Sequence, residues 1–145
     1  MSVAAAYSTA VNPVGIRPGS ATVLIVEDDR KLRERLLGQF AELGIQAMEA
    51  SAGFSAVKIA NTQRPDLIVL DGLLPEMHGF EVARFIRSID PSYNPHITMI
   101  TGIYKNTRYH NEARLKYGVD DYLIKPASAS AIAEIVGRVE AQVRA

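Results

Sequence analysis

The sequence predicts an α/β fold, a parallel sheet covered by helices on both faces within a single domain. Three observations carry this prediction. Short apolar runs and helix-periodic segments alternate five times from Ala21 onward, and such alternation implies right-handed strand–helix–strand crossovers. The strand runs are continuously apolar, as strands buried on both faces are. Four of these runs stop at charged or hydroxyl residues, and the carboxyl ends of the strands are where doubly wound sheets form their sites.

In chain order, "ATVLIV" is the first strand and stops at Glu27-Asp28-Asp29. Leu32, Leu36, Leu37, Phe40 and Leu43 then recur at helical spacing, with Gly44 as a stop signal. "IQAMEA" is a short second strand, and "GFSAVKIANTQ" a helix that ends near Pro65. "DLIVL" is the third strand and "FEVARFIRS" the helix after it. "HITMIT" is the fourth strand, "NEARLKYG" carries the fourth helix and "DDYLI" is the fifth strand. The last helix places Ile132, Ile135, Val136, Val139 and Val143 on one face.

The bulk numbers narrow the function classes. The 145 residues suit one domain with a sizeable core. Sixteen basic and 16 acidic residues cancel, so the bulk charge predicts neither nucleic-acid binding nor attraction to an anionic membrane. There is no cysteine, which excludes disulfides, thiolate metal sites and cysteine nucleophiles and agrees with a cytoplasmic location. No apolar run is long enough to insert into a bilayer. Residues 1–20 contain Pro13, Gly15, Pro18 and Gly19, carry no charge before Arg17, and read as a flexible leader before a domain at 21–145.

The strand ends define a chemistry. The first supplies Glu27, Asp28 and Asp29, the third Asp71, the fourth Thr101 and the fifth Lys125. Clustered carboxylates repel one another unless a cation joins them. A hard divalent ion such as Mg²⁺ takes one or two carboxylates and completes its shell with water and phosphate oxygens. Lysine offers a mobile positive charge, threonine a hydroxyl donor, and a carboxylate is a nucleophile in aspartyl-phosphate chemistry.

"VLIVEDD", "PDLIVLDGLLPEMHGFE", "TMITG" and "DDYLIKP" stand in the order and near the spacing of one family. From residue 21 onward the chain resembles a receiver domain of two-component response regulators. The resemblance implies a flavodoxin-like (βα)5 sheet with strand order 2-1-3-4-5. It implies Asp71 as phosphoacceptor, with Mg²⁺ (or Mn²⁺) held by Asp28, Asp71, the backbone carbonyl of Leu73 and, through water, Glu27. Thr101 would bond the phosphoryl group and Lys125 would pair with Asp71 or its phosphate, before a cis bond to Pro126. Tyr122 matches the aromatic switch position. The implied donor is a sensor histidine kinase or phosphotransfer protein. The implied output is a protein target, engaged by the surface of helix four, strand five and helix five, by a monomer or weak dimer that does not itself bind nucleic acid. Such a chain is a signalling switch, catalysing only its own phosphorylation and dephosphorylation.

Two alternatives accompany this reading. One is a pseudo-receiver acting as an interaction module without phosphorylation. The other is a Mg²⁺-dependent aspartyl-nucleophile phosphatase, which usually carries a second aspartate where this chain has Leu73. Leu73 and Ile103, each two residues past a site residue, are apolar where family members often carry polar groups, so slow self-dephosphorylation is expected. Gly102 stands where alanine is frequent, and Ala127 where phenylalanine is common. Asp29 reads as a helix N-terminal charge, Arg84 and Arg87 as solvated helix face, and Pro75 and Gly79 as shaping a loop. His78, His96 and His110 lack ligand spacing. Tyr104, Lys105, Arg108, Tyr109 and His110 make an aromatic and basic segment that reads as a solvated helix start.

Overall fold

A computed structural model describes residues 21–75, 77–102 and 116–144. Five strands form one parallel sheet in the order β2-β1-β3-β4-β5, which is the order expected. They are β1 (Val23–Val26), β2 (Met48–Ala50), β3 (Leu67–Asp71), β4 (His96–Thr101) and β5 (Asp121–Ile124). The described residues contain four helices: α1 (Arg30–Ala41), α2 (Gly53–Gln63), α3 (Gly79–Arg87) and α4 (Ala129–Arg144). A (βα)5 chain implies five. The fifth is expected over "NEARLKYG", of which only Lys116, Tyr117 and Gly118 are described; Ile103, Tyr104, Lys105, Arg108, Tyr109, His110 and the leader lie outside the described residues.

Strand periodicity sorts the core into two layers. Leu24, Val26, Ile68, Leu70, Ile97 and Met99 point to one face and pack with Ala56 and Ala60 of α2 and Val82, Ala83 and Ile86 of α3. Val23, Ile25, Leu67, Val69 and Ile100 point to the other and meet Phe40 of α1 and Ile132, Ile135, Val136 and Val139 of α4. Each fully buried aliphatic or aromatic side chain contributes about 1.5–3 kcal/mol. The expected apolar face of the last helix stops short of Val143, which is 41% exposed. Val143 instead lines a shallow cleft with Pro65, Tyr93 and His96. No described helix is long and apolar enough to cross a membrane.

Helix ends follow local chemistry. Asp29 caps α1 by accepting from Leu32 N–H at 3.1 Å. His78 caps α3, its ring accepting from the Phe80 N–H while Glu81 reaches back to the His78 N–H.

Arg87 is not the solvated residue its helical position suggests. Its side chain is 23% exposed. Nε and Nη2 donate to the Gly118 carbonyl at 2.9 and 2.7 Å. Nη1 donates to Asn94 Oδ1 at 2.9 Å and to the Pro95 carbonyl at 2.7 Å. Nη2 also meets Asp120 Oδ2 at 2.8 Å. This guanidinium therefore ties the end of α3 to the approaches of β4 and β5. Arg87→Ala is expected to destabilise the fold by about 2–3 kcal/mol, because carbonyls satisfied by a charged donor lose it. Arg87→Lys should recover less than half, lacking the planar fork. Urea unfolding reads both; a near-wild-type midpoint for the alanine variant would contradict the strut.

Candidate functional site

Register places the acidic residues. Val26 of β1 lies opposite Leu70 of β3, so Glu27 and Asp71, the next residue of each chain, emerge side by side. Asp71 still pairs with Ile100 of β4, which fixes its backbone inside the sheet. Glu27 stays buried, and Asp28, the next residue, opens to solvent. Ligand oxygens of Glu27, Asp28 and Asp71 all lie within 4.8 Å of one another.

Lys125 arrives from the far edge. Its N–H donates to the Thr101 carbonyl at 3.0 Å, one step past the β4–β5 ladder. Its Nζ reaches back to Glu27 Oε1 at 3.0 Å and Asp71 Oδ1 at 3.5 Å. The Lys125–Pro126 peptide is cis, as the resemblance implies. Thr101 ends β4 at 1% exposure. Tyr122, second in β5 and opposite Met99, is half-buried against the α2–α3 side of the core. Leu73 donates its N–H to Asp71 Oδ1 at 3.2 Å, and the residue is 49% exposed.

Glycines set the spacing of the loop after β3. A Cβ on Gly72 would lie 3.0 Å from Thr101 Cβ and 3.1 Å from its Oγ1, so the bare backbone lets this loop close on the hydroxyl. Gly79 is tighter still, since a Cβ there would sit 2.3 Å from the Asp71 carbonyl oxygen. Among the described residues, a Cβ at Gly102 would meet only Lys125 Cβ at 3.9 Å, an ordinary contact. The small Ala127 lines a mainly apolar cleft of about 280 Å³ whose rim includes Glu27 and Lys125.

Burial pushes the Glu27 carboxyl up to about 7, offset in part by the Lys125 hydrogen bond and reinforced by Asp71. Burial pulls the Lys125 ammonium down, but Glu27 and Asp71 together more than reverse this and its pKa is raised. The donor set suits a hard divalent cation. It has three carboxylates against one ammonium, and Asp28 opens to water, as an ion that retains waters requires.

The structure thus brings together Glu27, Asp28, Asp71 and Lys125, with Thr101 against the loop that follows Asp71, and sets Tyr122 farther along β5. Sequence reasoning passed over Gly72, although a glycine directly behind a strand-ending aspartate signals close backbone approach. It also passed over Arg33, whose partners only the fold reveals.

Comparison with known proteins places the chain. The sequence model of the response regulator receiver domain matches residues 23–137. The transcriptional regulatory protein CusR of Escherichia coli K12 is 35% identical over 122 residues, covering 84% of this chain and 51% of CusR. The probable transcriptional regulatory protein TcrX of Mycobacterium tuberculosis is 37% identical over 123 residues, covering 85% and 50%. The chain therefore spans about half the length of the curated relatives it matches. Among solved structures, the receiver domain of the Francisella response regulator 1452 superposes with a TM-score of 0.76 at 29% identity, covering 84% of this chain and 98% of that one. The receiver domain of the sensor histidine kinase PA1611 of Pseudomonas aeruginosa PAO1 gives 0.74 at 27% identity over 84% and 98%, and holds a magnesium ion in its active site cleft. The chain belongs to the response regulator receiver domain family.

Proposed function

We propose that this chain accepts a phosphoryl group on Asp71 from a phosphohistidine of a sensor histidine kinase or phosphotransfer protein, and that acceptance switches its binding to a downstream protein. The observation that carries the proposal is the position of Asp71, with Lys125 Nζ 3.5 Å away and the oxygens of Glu27 and Asp28 within 4.8 Å.

The Asp71 carboxylate attacks phosphorus, an O–P bond forms and the P–N bond to the donor histidine breaks. The departing imidazole nitrogen keeps the electron pair and takes up a proton. Asp28, Asp71, the Leu73 carbonyl and, through water, Glu27 would hold Mg²⁺ or Mn²⁺. That ion, when bound, supplies charge neutralisation to the phosphoryl oxygens. Lys125 swings from its carboxylate partners to a phosphoryl oxygen, and Thr101 donates its hydroxyl to another. Positioning and charge stabilisation are most of what this transfer needs. As Thr101 shifts toward the phosphoryl group, Tyr122 turns inward and the surface around β5 and the C-terminal helix changes population. The relatives' roles in transcription belong to longer chains, about half of whose length this one covers. For this chain we propose a cytoplasmic regulator, monomeric or weakly dimeric, acting by protein contact without touching nucleic acid.

Addition of beryllofluoride with Mg²⁺ tests the reading. Amide NMR signals around residues 71, 101 and 122–125 are expected to move, and binding of the partner to change. An unmoved spectrum would favour a phosphorylation-independent module. Steady release of phosphate from small phosphomonoesters would favour a phosphatase.

Leu73 adds a rate to this reading. A branched apolar side chain beside the acceptor shields the acyl phosphate from water and offers no group to orient one. Ile103, the other residue expected to shield, lies outside the described residues, so Leu73 carries the argument. Leu73→Glu is expected to speed loss of the phosphoryl group on the order of tenfold, the low end of what a water-orienting group supplies. A wild-type half-life of seconds in purified, Mg²⁺-loaded protein would contradict the shielding.

A further inference from the structure

Both backbone polar groups of Glu27 are held. The Glu27 N–H donates to the Ala50 carbonyl at 3.0 Å, extending the β1–β2 ladder one residue past the strand. The Glu27 carbonyl accepts from Arg33 Nη1 at 2.9 Å. Arg33 belongs to the first turn of α1, where its own N–H bonds the Asp29 carbonyl at 2.9 Å. Its Nε meets Glu49 Oε1 on β2 at 2.9 Å, and its side chain is only 17% exposed.

A carbonyl and the following N–H share one rigid plane. Holding the Glu27 carbonyl therefore fixes the plane that leads into Asp28, and with it the position of the Asp28 Cα from which that side chain departs. We infer that Arg33 is a positioning residue for the divalent-cation site, aiming Asp28 toward Asp71 through the Glu27–Asp28 peptide. It acts on the backbone of the acidic pair, not on the cation or the phosphoryl group. This rests on the reading above, in which Asp28 takes Mg²⁺.

Two effects of removing Arg33 have opposite signs. By charge alone, loss of a cation near three carboxylates favours an incoming dication. By geometry, loss of a group that orients a ligand weakens metal binding, typically by about 10–100-fold. Glu49 already neutralises much of the guanidinium charge, so geometry is expected to win.

The experiment titrates Mg²⁺ into the full chain by calorimetry and follows urea unfolding without divalent ions. Wild type is compared with Arg33→Met, Arg33→Lys and Glu49→Gln. The Kd of the methionine variant is expected to rise about tenfold. The lysine variant should fall between it and wild type, since an ammonium can reach the carbonyl but cannot also hold Glu49 in a fixed fork. Glu49→Gln, which leaves the Arg33 bond to Glu27 in place, is expected to stay within about twofold. Unchanged or tighter Mg²⁺ binding by Arg33→Met overturns the inference. If that variant does not fold, wild-type affinity in Arg33→Lys overturns it instead. Absence of Mg²⁺ binding in wild type would remove both this inference and the reading it rests on, whereas equal binding by wild type and variants removes this inference alone.

Discussion

Asp71→Asn is expected to take up no acid-labile phosphate from a phosphodonor, and yet to unfold at a higher urea concentration than wild type when divalent ions are absent. The loss follows from nucleophilicity, since an amide oxygen cannot replace a carboxylate in forming an acyl phosphate. The gain follows from the charges around it. Asp71 is 6% exposed and Glu27 2%, and their carboxylates share one ammonium that sits closer to Glu27. Removing the Asp71 charge leaves Lys125 its nearer partner Glu27 and relieves repulsion within the three-carboxylate cluster, with little change in side-chain volume. The stability gain should be on the order of 1 kcal/mol, the scale of one close charge interaction near a protein surface. Mass spectrometry reads the first effect and urea unfolding the second. Wild-type levels of phosphate on the asparagine variant would mean that the acceptor lies elsewhere.

Gly79→Ala is expected to cost about 3 kcal/mol or more, at or beyond the usual limit of overpacking. The added Cβ would lie 2.3 Å from the Asp71 carbonyl oxygen, 2.7 Å from Gly72 Cα and 3.0 Å from Gly72 C. All three are backbone atoms, so no flexible side chain can yield. The Gly79 N–H also donates to the Gly72 carbonyl at 3.1 Å, closing the loop that the methyl group would force open. Any folded fraction should bind Mg²⁺ poorly, because the backbone that moves carries Asp71. Gly38 and Gly137, helical glycines with nothing among the described residues within 4 Å of an added Cβ, serve as controls. Alanine there should stabilise by about 0.5–1 kcal/mol. A Gly79→Ala protein with wild-type unfolding and Mg²⁺ affinity would show that the loop relaxes freely.

Much of the fold was legible because parallel α/β sequences state their periods openly. "GFSAVKIANTQ" and "HITMIT" coincide with α2 and β4 at both ends. The acidic, hydroxyl and ammonium residues were legible as a group because each directly follows an apolar strand, and a parallel sheet gathers such positions at one edge. The arginines were not. A cation on a helix reads the same whether it faces water or a row of carbonyls, and the Arg87 partners Gly118 and Asp120 lie 31 and 33 residues away. Arg33 finds Glu49 across 16 residues for the same reason. Gly79 read as a loop-shaping residue, and the contact that makes it indispensable is with a backbone atom eight positions earlier. Val143 kept the helical period but lies at the open edge of a cleft, partly exposed.

The sheet order has a mechanical consequence. Asp71 ends the middle strand, laced to a neighbour on each side, whereas Lys125 follows an outer strand whose four residues are all half-buried and which has a neighbour on one side only. Under the proposed function, the acceptor is anchored on both sides, and the lysine that answers it hangs from the margin of the sheet. A shift at Asp71 then reaches Lys125 sideways, through β4 into β5.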